Sequence, residues 1–275
     1  MGYPVEHSLS PLIHNAAFGA TGENLLYLAF PVRPGELSTA VAGLKALGFK
    51  GANVTVPHKE KIIKYLDRVE PIAARIGAVN TIVNNGNELV GYNTDGTGFI
   101  RSLNEAGFNP SGKNVLILGA GGAARAVAFA LVDAKCTKLS IANRTLANAM
   151  KLADSLTDKC GLIPEVYSMD EKELHLVLSE ADLVINTTSL GMWPKVEDTP
   201  LPGGGFKKGQ WVYDLVYNPI ETKFLKQARE RGCYVISGLS MLLYQGAEAF
   251  TLWTGQDAPV EVMEKVLYGA VNKKN

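Results

Sequence analysis

The chain has 275 residues and balances 27 Lys and Arg against 27 Asp and Glu, with no formal net charge at neutral pH. That balance excludes a general nucleic-acid binder or a polybasic membrane-surface protein, both of which depend on excess positive charge, and no apolar run approaches the roughly 18 residues of a membrane span. Cys136, Cys160 and Cys233 form no CxxC pair, which points away from a disulfide framework and from a zinc site.

The length predicts about two domains, and the start lacks the basic stretch and apolar run of a signal peptide, so a cytoplasmic globular protein is expected. In chain order, Ser10 and Pro11 start a helix that runs through Phe18, with Ser10 as its cap. Asn24–Phe30 reads as a strand, Pro34–Leu47 as a helix stopped by Gly48, and Phe49–Val56 as a strand ending at Pro57. A charged helical run, Lys59–Arg68, follows. Ala78–Asn85 and Glu88–Tyr92 read as two strands around an Asn85-Gly86 turn. The breaker cluster Gly107–Gly112 is a plausible end of one unit.

Beyond it the alternation restarts with strand Asn114–Leu118, helix Ala123–Val132, strand Lys138–Ala142 and helix Leu146–Leu156. Strands at Asp182–Asn186, Trp211–Leu215 and Tyr234–Ile236 follow, with helices Glu221–Arg231, Met241–Trp253 and Val260–Val271. Short β-branched runs alternating with longer helical ones predict an α/β fold with a mostly parallel sheet.

The strongest local signal is the apolar strand Asn114–Leu118 running into Gly119, Ala120, Gly121, Gly122, Ala123 and Ala124, a GxGxxA turn opening an Ala-rich helix. Gly119 permits the tight turn, Gly121 lets backbone N–H groups approach a pyrophosphate, and Ala124 lets helix pack closely on strand. The helix N-terminus presents partial positive charge to those phosphates. At the end of the next strand an NAD site usually places an acid for the ribose 2′-hydroxyl. This chain has Asn143, Arg144 and Thr145 there instead, a guanidinium with polar neighbours that suits a 2′-phosphate, so NADP is the expected cofactor. The plainer reading of Arg144 is a solvated loop charge.

Four polar segments lie at predicted element ends outside that unit: His7–Pro11, Asn53–Lys59, Asn80-Thr81 and Asn93–Asp95. Ligands of open α/β sheets bind at the carboxyl ends of strands. Hydroxyls, amides, one ammonium and one carboxylate form a hydrogen-bonding set for a small polyhydroxy acid. They are poor metal ligands, since the four His are scattered. Each residue also has a bland reading: Ser10 and Asp95 as helix caps, Asn80 and Asn93 as turn residues, Lys59 as one more surface lysine.

Taken together the segments resemble the shikimate dehydrogenase family almost end to end. The resemblance runs through Gly2–Pro11, Ala52–Lys59, Gly77–Thr81, Asn93–Gly96, Gly119–Ala123, Asn143–Thr145, Asn186–Met192, Asp214–Pro219 and Gln245–Phe250. It implies reversible NADPH-dependent reduction of 3-dehydroshikimate to shikimate, on the way to chorismate and the aromatic amino acids. It implies an open α/β substrate-binding domain, 1–101 plus 239–275, and a Rossmann-type NADP-binding domain, 102–238, with a cleft between them.

By the same resemblance Ser8 and Ser10 hold the substrate carboxylate, and Thr55, Lys59, Asn80, Asp95, Tyr217 and Gln245 surround the ring hydroxyls. Gly119, Ala120, Gly121, Gly122 and Ala123 bind the pyrophosphate, Asn143, Arg144 and Thr145 the 2′-phosphate. Leu215, Gly238 and Met241 match positions beside the nicotinamide. The implied partner is the small-molecule substrate alone, with no nucleic acid, membrane or metal, in a monomer or homodimer.

Two departures stand out. Family members usually place a strand before the Gly2-Tyr-Pro4 motif, where this chain has only Met1, and many carry a second base shortly after the 2′-phosphate triplet, where this chain has Asn148. Ketone reduction needs a hydride at carbon and a proton at the developing alkoxide. Lys59 and Asp95, the only cation and the only carboxylate of the substrate motifs, are the expected catalytic pair, with Lys59 either moving the proton or stabilising charge. The rival readings are a quinate/shikimate dehydrogenase with relaxed substrate or NAD use, and a non-catalytic NADP-sensing protein.

Overall fold

The computed structural model describes residues 1–272. The chain divides into two compact units, Met1–Gly98 with Leu242–Asn275, and Phe99–Met241.

The first unit opens with α1 (Ser10–Thr21), α2 (Leu37–Ala46) behind a 3-10 turn at Pro34–Glu36, and β1 (Gly51–Asn53). A 3-10 turn at Lys61–Tyr65 leads to β2 (Arg68–Val69), α3 (Pro71–Ile76), β3 (Thr81–Asn84), β4 (Leu89–Tyr92) and α4 (Asp95–Glu105), within which the second unit begins. That unit holds β5 (Asn114–Leu118), α5 (Gly122–Asp133), β6 (Lys138–Ala142), α6 (Leu146–Cys160), β7 (Glu165–Tyr167) and α7 (Glu171–Glu180). It continues with β8 (Leu183–Asn186), β9 (Trp211–Asp214), α8 (Lys223–Glu230) and β10 (Tyr234–Ser237). Inside α9 (Gly238–Thr254) the chain returns to the first unit, which α10 (Val260–Asn272) completes.

The second unit is a six-stranded, wholly parallel sheet in the order β10-β9-β8-β5-β6-β7. Val115–Leu118 and Leu183–Asn186 are buried along their whole length. Helices covering both faces of a parallel sheet require such continuous apolar runs. The expected mostly parallel sheet is therefore found here, but not in the first unit. There the order is β1-β3-β4-β2, and only β2 with β4 is parallel. The cause is local: Asn84 and Asn85 accept from the backbone N–H groups of Gly86, Asn87 and Glu88, closing a tight turn that makes β3 and β4 antiparallel. Val41, Leu44, Val54, Ile62, Val79, Ile82 and Leu89 form the core against that sheet.

Several elements depart from the sequence reading. Asn24–Phe30 is not a strand. Asn15 takes both backbone groups of Tyr27, accepting from its N–H at 2.7 Å and donating to its C=O at 3.0 Å, so a side chain replaces a ladder partner. A lone bridge joins Gly2 to Pro31. Lys59–Arg68 forms a short 3-10 turn rather than a helix, and Phe49–Val56 pairs only over Gly51–Asn53. Leu9, not Ser10, occupies the cap of α1, and no side chain caps it.

Candidate functional site

In the first unit, Val54 N–H donates to the Asn80 carbonyl at 2.7 Å and Val79 N–H to the Lys59 carbonyl at 2.8 Å. These bonds tie the segment after β1 to the one before β3, and so place Lys59 beside Asn80. Asp95 opens α4 in its first turn, with its N–H bonded to the Asn93 side chain at 3.1 Å. Lys59 Nζ then meets Asp95 Oδ2 at 2.6 Å, with the side chains 15% and 6% exposed. A pair so far removed from water is sensitive to loss of either member, because the survivor is left as an uncompensated buried charge.

Asn80 is the hub of this cluster. Its Nδ2 donates to Asp95 Oδ1 at 2.9 Å, to Thr94 Oγ1 at 2.9 Å and to Gln245 Oε1, on α9, at 3.4 Å. The structure thus brings together four expected residues: Lys59, Asp95, Asn80 and Gln245. Ser8 Oγ accepts from Ser10 N–H at 3.3 Å, joining the two serines at the head of α1. Thr55 is exposed at the turn before Lys59. Asn93 is more than a turn residue, since its Nδ2 also donates to the Ala78 carbonyl at 2.9 Å.

In the second unit the expected cofactor residues collect at the carboxyl ends of parallel strands. Gly119 follows β5 at φ +117°, and a Cβ there would collide with Thr187 Oγ1, so only glycine fits the turn. Gly121 caps α5, and its Cα faces open space. The uncapped N–H groups of Gly122 and Ala123 thus border free room of the kind a pyrophosphate fills. Asn143, Arg144 and Thr145 follow β6, the strand paired with β5. Asn143 Nδ2 donates to the Thr145 carbonyl at 2.8 Å, and Arg144 is exposed. An exposed guanidinium after β6 and a glycine cradle after β5 fit a dinucleotide with a 2′-phosphate.

Leu215 follows β9, and a Cβ on Gly238 would collide with the Leu215 carbonyl oxygen, so the strand end and the start of α9 touch backbone to backbone. Met241 is buried in the same helix. Tyr217 belongs to the second unit, and burial raises its phenol above the usual range.

Sequence reasoning missed a second polar cluster. Asp214, fully buried at the end of β9, accepts from Asn186 Nδ2 at 2.9 Å, Val216 N–H at 3.0 Å and Thr222 Oγ1 at 2.5 Å. Burial pushes its carboxyl up to about 6 despite those donors. Asn186 Oδ1 in turn orders Thr188, through its N–H at 3.0 Å and its hydroxyl at 2.7 Å. Both ends lie in motifs quoted for the resemblance, which signalled them without a role. Among the described residues, no group of three or more His, Cys, Asp or Glu is arranged to hold a metal, and no helix is long and apolar enough to cross a membrane.

Three family profiles match the chain in order: the shikimate dehydrogenase substrate binding domain over residues 1–82, shikimate/quinate 5-dehydrogenase over 102–192, and the shikimate 5′-dehydrogenase C-terminal domain over 238–268. A curated relative from Moorella thermoacetica, named shikimate dehydrogenase (NADP(+)), is 66% identical over 271 residues, 98% of this chain and 92% of its own. A crystal structure of a shikimate dehydrogenase in complex with NADP+ superposes with a TM-score of 0.90 at 43% identity, covering 98% of this chain and 93% of that one. The Thermus thermophilus shikimate 5-dehydrogenase, in complex with NADP(H) and shikimate, superposes with a TM-score of 0.87 at 37% identity, covering 98% and 97%. With two thirds of its residues shared over nearly its full length, the chain belongs to the NADP-dependent shikimate dehydrogenase family.

Proposed function

We propose that this chain catalyses the reversible, NADPH-dependent reduction of 3-dehydroshikimate to shikimate, a step toward chorismate and the aromatic amino acids. The observation that supports it most directly is the shielded Lys59–Asp95 pair, tied through Asn80 to Gln245. A sensor without chemistry has no need to hold a lysine in that state.

The first unit serves as the substrate-binding domain and the second as the NADP-binding domain, in line with the substrate binding profile over 1–82. Gly119, Ala120, Gly121, Gly122 and Ala123 would hold the pyrophosphate, Asn143, Arg144 and Thr145 the 2′-phosphate, and Leu215, Gly238 and Met241 would flank the nicotinamide. When bound, the cofactor supplies or accepts the hydride. Ser8 and Ser10 would take the substrate carboxylate, and Thr55, Asn80, Asp95, Tyr217 and Gln245 its hydroxyls. Lys59 has three N–H donors and gives one to Asp95 Oδ2. The others are free to reach the reacting oxygen, to which Lys59 delivers a proton in reduction and from which it removes one in oxidation. The enzyme acts on a small molecule in the cytoplasm as a monomer or homodimer, with no nucleic-acid partner.

Initial rates with NADP and with NAD, each against shikimate and quinate, test this reading. High activity is expected only for shikimate with NADP. Comparable quinate or NAD rates would move the enzyme into the broader family, and a folded sample inactive in every pairing would sink the reading. Arg144→Ala is expected to raise the KM for NADP about ten-fold, the worth of a hydrogen bond to a charged group at an exposed site, and to leave the KM for NAD alone. Equal change with both cofactors would remove Arg144 from 2′-phosphate recognition.

A further inference from the structure

We propose that Tyr27, Asn53 and Thr81 form a one-way hydrogen-bond relay that fixes the Asn80 carboxamide against Asp95, and so act as positioning residues for the reaction. The inference rests on the roles given above to Lys59, Asp95 and Asn80.

The orientation of both carboxamides follows from groups that can play only one part. Asn80 Oδ1 accepts the Thr94 backbone N–H at 2.8 Å, and Asn80 Nδ2 faces the acceptor-only Asp95 carboxylate at 2.9 Å, so the carboxamide has one orientation. Asn53 Nδ2 points at the Asn80 backbone carbonyl at 3.3 Å and also reaches Thr81 Oγ1 at 3.0 Å. That fixes its other end, Oδ1, as the acceptor of the Tyr27 hydroxyl at 2.9 Å. Thr81 Oγ1, accepting from Asn53, has its own proton for Asn80 Oδ1 at 3.1 Å, the nearer of two acceptors, the other being Thr94 Oγ1 at 3.3 Å. Donation therefore runs Tyr27 to Asn53 to Thr81 to Asn80 to Asp95, each link adding polarisation to the next.

The head of the relay is held firmly. Asn15, on α1, grips both backbone groups of Tyr27, and the Tyr27 ring stacks on His14 at 4.6 Å and 9°. Trp253, on α9, lies beside the same ring at 5.9 Å. A tyrosine that served only to fill space there would not need its hydroxyl aimed at a carboxamide. Without that hydroxyl, Asn53 Oδ1 loses its donor, and the amide polarises the next link less. Thr81 then gives a weaker hydrogen bond to Asn80 Oδ1.

Tyr27→Phe keeps the ring and removes the hydroxyl that donates to Asn53. It is expected to raise the KM for shikimate about three- to ten-fold, the range of one net hydrogen bond, with the KM for NADP unchanged. Thr81→Val should do the same and Thr81→Ser should restore most of the loss. Tyr27→Phe placed on Thr81→Val should add nothing, because the chain is already cut. Unchanged shikimate KM in Tyr27→Phe, equal shifts in both KM values, or multiplying effects in the double variant would each overturn the relay. If Tyr27→Phe fails to fold, the Thr81→Val and Thr81→Ser comparison decides alone. Lys59→Ala and Asp95→Asn run alongside. Normal turnover in those two would bring down the underlying reading, whereas their loss beside a silent relay brings down the relay only.

Discussion

Lys59→Ala lowers kcat by about 10²- to 10⁴-fold, the range that a positioned general acid or base contributes, with a much smaller change in shikimate affinity. The measurement is steady-state kinetics in both directions, with shikimate binding followed separately. Loss confined to kcat marks an interaction made in the transition state, and near-normal turnover would remove Lys59 from the chemistry. Lys59→Arg divides its two possible roles. Arginine keeps the charge but cannot give up a proton in a protein. A proton-transferring Lys59 makes Lys59→Arg as inactive as Lys59→Ala, whereas a stabilising Lys59 lets it keep substantial turnover. The Asp95 carboxylate, 2.6 Å away, is available to hold either cation.

The second large effect is on stability in acid. His14 is fully buried among the rings of Phe18, Tyr27 and Trp253, and neither ring nitrogen has a hydrogen-bond partner among the described residues. Burial holds its pKa at about 3, against an ordinary 6.5. Below pH 6.5 the unfolded chain binds a proton there that the folded chain refuses, so stability falls with falling pH until about pH 3. Each unit of pH costs about 1.4 kcal/mol, and at pH 4.5 the loss is about 2.7 kcal/mol. His14→Phe keeps an aromatic ring against Tyr27 and removes the titration. Urea unfolding of both proteins from pH 7 to pH 4.5 should therefore show a gap that opens in favour of His14→Phe as the pH drops. Parallel curves would show that His14 is protonated without cost.

The parallel sheet was legible because it needs continuous apolar strands. Asn114–Leu118 and Lys138–Ala142 coincide with β5 and β6 residue for residue. The first unit was harder, because its short elements owe their form to side chains rather than to periodicity. Tyr27 has its backbone bonded to Asn15, and Lys61–Tyr65 is too short to show a repeat. Pro71–Ile76 and Glu165–Tyr167 escaped notice for the same reason. Of the site, the charged members were visible as residue types at strand ends. The residues that aim them were not. Asn53 and Thr81 lie within the motifs, yet their task depends on which amide face meets which carbonyl, and a linear sequence does not encode that at short range.

The return of the chain inside α9 sets an order of assembly during synthesis. The second unit is contiguous, so all of it can leave the ribosome before any of Leu242–Asn275 emerges. At about 5–20 residues per second, the first 98 residues wait many seconds for Trp253, whose indole N–H bonds the Ile82 carbonyl at 2.9 Å, and for Gln245, the partner of Asn80. Translation stalled with residue 241 just outside the ribosome, followed by brief proteolysis, should yield cuts within 1–98 and spare 99–241, and the reverse pattern would refute this order. The contiguous second unit is thus born early, and the first unit is the last to become a folded body.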